Sequence, residues 1–160
     1  MQELNTLKNL HYMRPLNEFL NEEKIYQKGE MIKVYHGTPK KITKVNTDAN
    51  QSGSDFGSGA YFTTNKETAK SYGKFVYEAD IQLNNPVILN NRSEMNDIWD
   101  YLIGEKEEGI VPQDIQMKEY IINKGADGIV INNPIMGIKS DEIWFVVYYP
   151  KQVNKLKQVI

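Results

Sequence analysis

The chain has 160 residues, 40% of them hydrophobic and 25% charged, with a formal net charge of −2. That length fits one domain with a real core, and the balanced charge gives no global sign of nucleic-acid binding, leaving only a local basic face open. Cysteine is absent and His11 and His36 are the only imidazoles, which excludes disulfides, thiolate sites and cysteine nucleophiles and argues against a histidine-rich metal centre.

No apolar run approaches the roughly 20 residues that span a bilayer. The start, Met1-Gln2-Glu3-Leu4-Asn5, lacks the basic-then-apolar pattern of a signal peptide. The expected location is the cytoplasm, or outside the producing cell after export by a dedicated machine.

Residues 1–30 read as a polar helical extension packed on a domain covering 31–160. Leu4, Leu7 and Leu10 line one helical face, and Pro15 suits the first turn of a helix carrying Leu16, Phe19 and Leu20. After Gly29, Ile32, Val34 and His36 alternate with Lys33 and Tyr35, the period of a strand, so His36 points inward with its apolar neighbours. Thr43 to Gly59 is rich in Asn, Asp, Ser and Gly and reads as a loop. Ala60–Thr63 is a short strand. Asn65 caps a helix from Lys66 to Tyr72 that Gly73 ends.

Phe75 to Leu83 is the next strand, and Asn84-Asn85-Pro86 turns into Val87-Ile88-Leu89. Ser93 reads as the N-cap of a helix carrying Met95, Ile98, Trp99 and Leu102 and closed by Gly104. A further helix runs from Gln113 to Asn123, and Gly128–Ile131 is a buried strand by its β-branched content. The loop 132–141 leads into a final strand, Glu142 to Tyr149, stopped by Pro150. Short strands interspersed with helices predict an α+β domain with mostly antiparallel, mixed or split sheets.

Two stretches carry candidate chemistry. Tyr35-His36-Gly37-Thr38 ends the first strand with an imidazole, a bare backbone and a hydroxyl. Phe56-Gly57-Ser58-Gly59-Ala60-Tyr61-Phe62 is followed by Tyr72, eleven residues after Tyr61. Gly57-Ser58-Gly59 lacks the Gly-Lys-Ser/Thr ending of a Walker loop and the third glycine of a dinucleotide fingerprint, so a phosphate cradle is disfavoured. With Tyr61 on a strand and Tyr72 on the helix after it, the two rings can face each other across a slot. Such a slot suits a flat aromatic amide, since π systems stack at centroid separations of roughly 4.5–7 Å.

These residues, with the closing run Trp144-Phe145-Val146-Val147-Tyr148-Tyr149, resemble the ADP-ribosyltransferases of the His-Tyr-Glu class, which includes diphtheria toxin and the poly(ADP-ribose) polymerases, and are most similar to small phage and bacterial members. The resemblance runs discontinuously from His36 to the C-terminus. It implies a split, mostly antiparallel sheet with flanking helices and a glycosyltransferase acting on NAD, with no metal. By that resemblance His36 holds a ribose hydroxyl, Gly37 binds the carboxamide through its backbone beside Thr38, and Tyr61 and Tyr72 sandwich the nicotinamide. Ala69 stands where some relatives carry a serine.

The family pattern breaks at the catalytic glutamate, whose place Trp144 occupies. Glu142 lies two residues earlier, on the same strand face, whereas Asp141 faces away. Glu142 then supplies the carboxylate from a shifted strand, or takes the target-recognising position of arginine-modifying relatives, or the carboxylate is absent and the chain is a catalytically silent NAD-binding module. An RNA 2′-phosphotransferase ranks lower, because no arginine-rich site accompanies His36 or Tyr61. The loop 133–139 is placed to meet an acceptor, which the sequence leaves open as protein, nucleic acid or small molecule. A toxin role would add an antitoxin or immunity partner.

Overall fold

The structure, a computed structural model, describes residues 25–48, 58–91, 93–94, 96–98, 100, 113–135 and 140–160, with backbone alone for 113–116. The described residues form seven strands: β1 (Met31–Thr38), β2 (Ala60–Thr63), β3 (Phe75–Gln82), β4 (Val87–Leu89), β5 (Gly128–Asn132), β6 (Ile143–Val147) and β7 (Val153–Gln158). They form one sheet in the order β4-β5-β6-β2-β1-β3-β7. Every neighbouring pair is antiparallel except β4 and β5. Helix α1 (Lys66–Lys70) follows β2 and α2 (Gln113–Asn123) precedes β5.

The expected α+β class and mostly antiparallel sheet are therefore observed, and the sheet is nearly split. β1 pairs with β3 along its whole length, and β2 pairs with β6 along its own. Between β1 and β2, however, the register holds only at Tyr35 opposite Thr63. The halves β4-β5-β6-β2 and β1-β3-β7 meet at that junction.

Side-chain alternation sends residues of β2, β4, β5 and β6 to two cores, whereas β1, β3 and β7 feed only the first. One face buries Ile32, Val34, Phe62, Ile81, Val130, Phe145 and Val147 beneath Tyr26 and Val45. Tyr26 meets Phe145 edge-on at 5.3 Å, and its hydroxyl accepts from Leu83 N at 2.9 Å while donating to the Glu30 carbonyl at 2.8 Å. The opposite face buries Ile129, Ile131, Val146 and Tyr148 under Met117 and Ile121, one turn apart on α2. β5 is buried at all five positions because both cores use it.

Several expectations change. The last strand does not end the fold: Pro150 opens a single 3₁₀ turn, Pro150–Gln152, and β7 follows along β3. β6 begins at Ile143, so Glu142 precedes it. Helix α1 stops at Lys70, and Gly73 lies beyond a turn at Ser71 and Tyr72. Residues 93–94, 96–98 and 100 are helical, and it is Asn91 Oδ1 that accepts from Glu94 N at 3.1 Å, with Ser93 already helical. The proposed helices in the first 24 residues, Met95, Trp99, Leu102 and Gly104 lie outside the described residues.

Phe145 is 1% exposed and touches Tyr26 at the centre of the first core. Phe145→Ala should lower unfolding free energy by about 3–5 kcal/mol in urea titrations. The exposed Lys151→Ala should change it by about 0.5 kcal/mol or less. Similar costs for both would place the core elsewhere.

Candidate active site

His36 stands on β1 where the ladder to β2 has ended. Its Nδ1 lies 2.7 Å from the Tyr61 carbonyl oxygen. A carbonyl can only accept, so Nδ1 carries the hydrogen and donates. Burial holds the imidazole below its ordinary basicity, only partly offset by that bond, so the ring is neutral near pH 7 and Nε2 presents a lone pair. The imidazole thus has an acceptor, and no second ring N–H, on the side away from Tyr61. Its neighbour is Phe62, with centroids 5.4 Å apart, whereas Tyr61 packs against the core on the other face. His36 and Tyr61 are thus joined through the β2 backbone, their rings leaving it by different faces.

Gly37 is required by packing. A Cβ there would lie 1.7 Å from the Ala69 carbonyl oxygen and 3.3 Å from Tyr72 Cβ. The bare backbone lets α1 sit directly on β1, bringing Tyr72, 62% exposed, beside Gly37. Asn65 fixes the start of that helix, its Oδ1 accepting from Glu67 N at 2.9 Å and Thr68 N at 3.2 Å. Ala69 is enclosed. The Thr38 hydroxyl is engaged in a local turn, donating to the Lys40 carbonyl at 3.2 Å.

On the Phe56–Phe62 segment, Gly59 has φ +152°, and a Cβ there would meet Val146 Cγ1 at 2.5 Å. Only glycine fits against β6 in that backbone conformation. Asp55, Phe56 and Gly57 lie outside the described residues, as do positions 136–139 of the candidate acceptor loop.

Glu142 is 3% exposed at the head of β6. Its Oε1 accepts from Thr63 Oγ1 at 2.6 Å and from Trp144 Nε1 at 2.9 Å. Its backbone N donates to Ser140 Oγ at 3.0 Å. Thr63 and Trp144 are direct cross-strand partners, so Glu142, Thr63 and Trp144 share the sheet face that also carries Tyr61. Asp141 is exposed, away from this cluster.

Thr63 is the residue that sequence reasoning passed over. Alternation with Tyr61 puts it on the site's face, but its meeting with Glu142, seventy-nine positions away, depends on the β2–β6 register. Trp144 is half-buried and donates to Glu142. Among the described residues no three His, Asp or Glu side chains converge to hold a metal, and no helix is long and apolar enough to cross a membrane.

A nearly split antiparallel sheet, with an imidazole at the junction and a carboxylate at the head of a central strand, is the frame expected of an ADP-ribosyltransferase. The chain matches the family of ADP-ribosyltransferases in polyvalent proteins over residues 26–158. It belongs to that family. No curated protein matches it. Among solved structures, the crystal structure of an anti-CRISPR protein aligns over 81% of this chain and 96% of that one, at 16% identity and a TM-score of 0.41.

The lowered His36 basicity links site and stability. Above about pH 6.5, the ordinary imidazole value, neither folded nor unfolded chains carry the proton. As pH falls below it, the unfolded chain takes up the proton first, and stability drops until the folded ring also titrates. In denaturant titrations from pH 7.5 to 5.5, the wild-type chain should lose stability relative to His36→Asn. Parallel curves would show that the imidazole is not held neutral.

Proposed function

We propose that the chain is an NAD-dependent mono-ADP-ribosyltransferase that breaks the nicotinamide–ribose bond and passes ADP-ribose to a macromolecular acceptor, in the setting of a phage or bacterial effector. The observation that carries this reading is the Glu142 carboxylate, held by two donors on the face that bears Tyr61. Membership of the family supports the reaction class, whose enzymes use NAD.

In this reading the nicotinamide stacks between Tyr61 and Tyr72, with its carboxamide on the Gly37 backbone. His36 Nε2 accepts a ribose hydroxyl hydrogen. The glycosidic C–N electron pair leaves with the nicotinamide nitrogen, and the sugar becomes oxocarbenium-like, as in glycoside cleavage. Glu142 stabilises that positive charge and orients the acceptor. The acceptor's lone pair closes on the sugar carbon, and its proton is lost to the carboxylate or to water.

A second reading is favoured by one observation, Trp144 at the position where the family carries its glutamate. There the chain binds NAD without turning it over.

Glu142→Gln separates the two. Nicotinamide release by purified protein should fall by roughly 10²–10³, while NAD binding by calorimetry stays at the wild-type level. Saturable NAD binding with no release by the wild-type chain would establish the silent module instead. Labelled NAD added with whole-cell lysate, followed by protease or nuclease, reports the acceptor class through the fate of the label.

A further inference from the structure

We infer that Trp144 and Thr63 are positioning residues that aim the Glu142 carboxylate, Trp144 standing where the family pattern puts the carboxylate itself. The inference rests on the reading of Glu142 as the reaction's carboxylate.

Both donors converge on one oxygen. Thr63 Oγ1 meets Oε1 at 2.6 Å and Trp144 Nε1 meets it at 2.9 Å. Short O–H···O bonds of this length belong to the stronger, carboxylate-directed class. Two donors occupy the lone pairs of Oε1 and fix the rotation of the carboxylate plane. Among the described residues both donors to this carboxylate fall on Oε1.

The donors are themselves fixed. Thr63 Oγ1 accepts from Asn65 N at 3.0 Å, which turns its hydrogen toward Glu142. Asn65 caps α1, the helix whose Ala69 carbonyl backs Gly37 and whose exit carries Tyr72. Trp144 is held in register opposite Thr63. The indole donates and cannot accept or ionise. It therefore orients the carboxylate without neutralising it, as a lysine or arginine would. A carboxylate that must face a developing positive charge is best held by neutral donors of this kind.

The test is a double-mutant cycle on nicotinamide release from NAD, which requires no acceptor. Trp144→Phe and Thr63→Val should each lower kcat by roughly 10- to 100-fold with KM for NAD unchanged, and Thr63→Ser should restore most of the rate. In a Glu142→Gln background neither substitution should slow the residual reaction further, because both act through the missing carboxylate. If Trp144→Phe fails to fold, judged by near-ultraviolet circular dichroism and thermal melting, the near-isosteric Thr63→Val carries the cycle. Equal slowing in the wild-type and Glu142→Gln backgrounds, or wild-type kcat in the Thr63→Val variant, overturns the inference while leaving the transferase reading intact. Wild-type protein that binds NAD without releasing nicotinamide overturns the transferase reading itself, and a fully active Glu142→Gln variant overturns the carboxylate assignment.

Discussion

The hydrogen bond from His36 Nδ1 to the Tyr61 carbonyl, 2.7 Å long, lies where the two halves of the sheet come apart. β1 and β2 share one register pair, Tyr35 with Thr63, whereas their outer partners run alongside them for four or eight. Beyond that pair the β2 backbone would leave a carbonyl without a ladder partner, and a buried unpaired carbonyl is costly. The imidazole fills the gap. In doing so it commits one ring nitrogen to the scaffold and leaves the other as an acceptor. Opening the sheet and fixing the tautomer are one event.

The carboxylate presents the complementary problem. Glu142 is buried at the head of β6, where a carboxylate is tolerated only with hydrogen-bond donors. Those donors come from two strands brought into register by the second core, since Val146 and Tyr148 pack under α2 on the same side as Trp144. Among the described residues α2 makes no hydrogen bond to Glu142. Its contribution is indirect: it holds β6 against β5, and the β2–β6 register then sets where the indole stands.

Much of this was legible from the residues. Ala60–Thr63, Val87–Leu89 and Gln113–Asn123 fall within the boundaries that turn residues and periodicity imply. His36 on the face of Ile32 and Val34 followed from a period of two. β7 was missed for a physical reason. Val153 and Leu156 both reach the first core, yet they are three residues apart, an odd offset that hides a strand. A bulge resolves it: the register with β3 shifts between Glu78 and Asp80, and Lys155 takes φ +54°. Lys155 and Lys157 also give this edge strand the polar look by which edges avoid pairing with other chains. The bond between Thr63 and Glu142 was out of reach because no local pattern encodes which residues of two distant strands lie opposite each other.

The break in the family pattern looks different in three dimensions than in sequence. Moving a side chain two positions along a strand keeps its face but displaces its Cα by roughly 6.6 Å. A displacement of that size would carry a carboxylate away from a site built around position 144. The bonds of Glu142 run back along the strand instead: one oxygen touches the side chain of Trp144 and the hydroxyl of Thr63, the residue paired with Trp144. The carboxylate therefore lies beside the side chains of the 63–144 pair although its backbone lies beyond them. A glutamate whose backbone precedes the strand thus has its head group beside residue 144. Trp144, which the sequence resemblance aligns with the family's acid, is itself one of the two groups that bond this carboxylate.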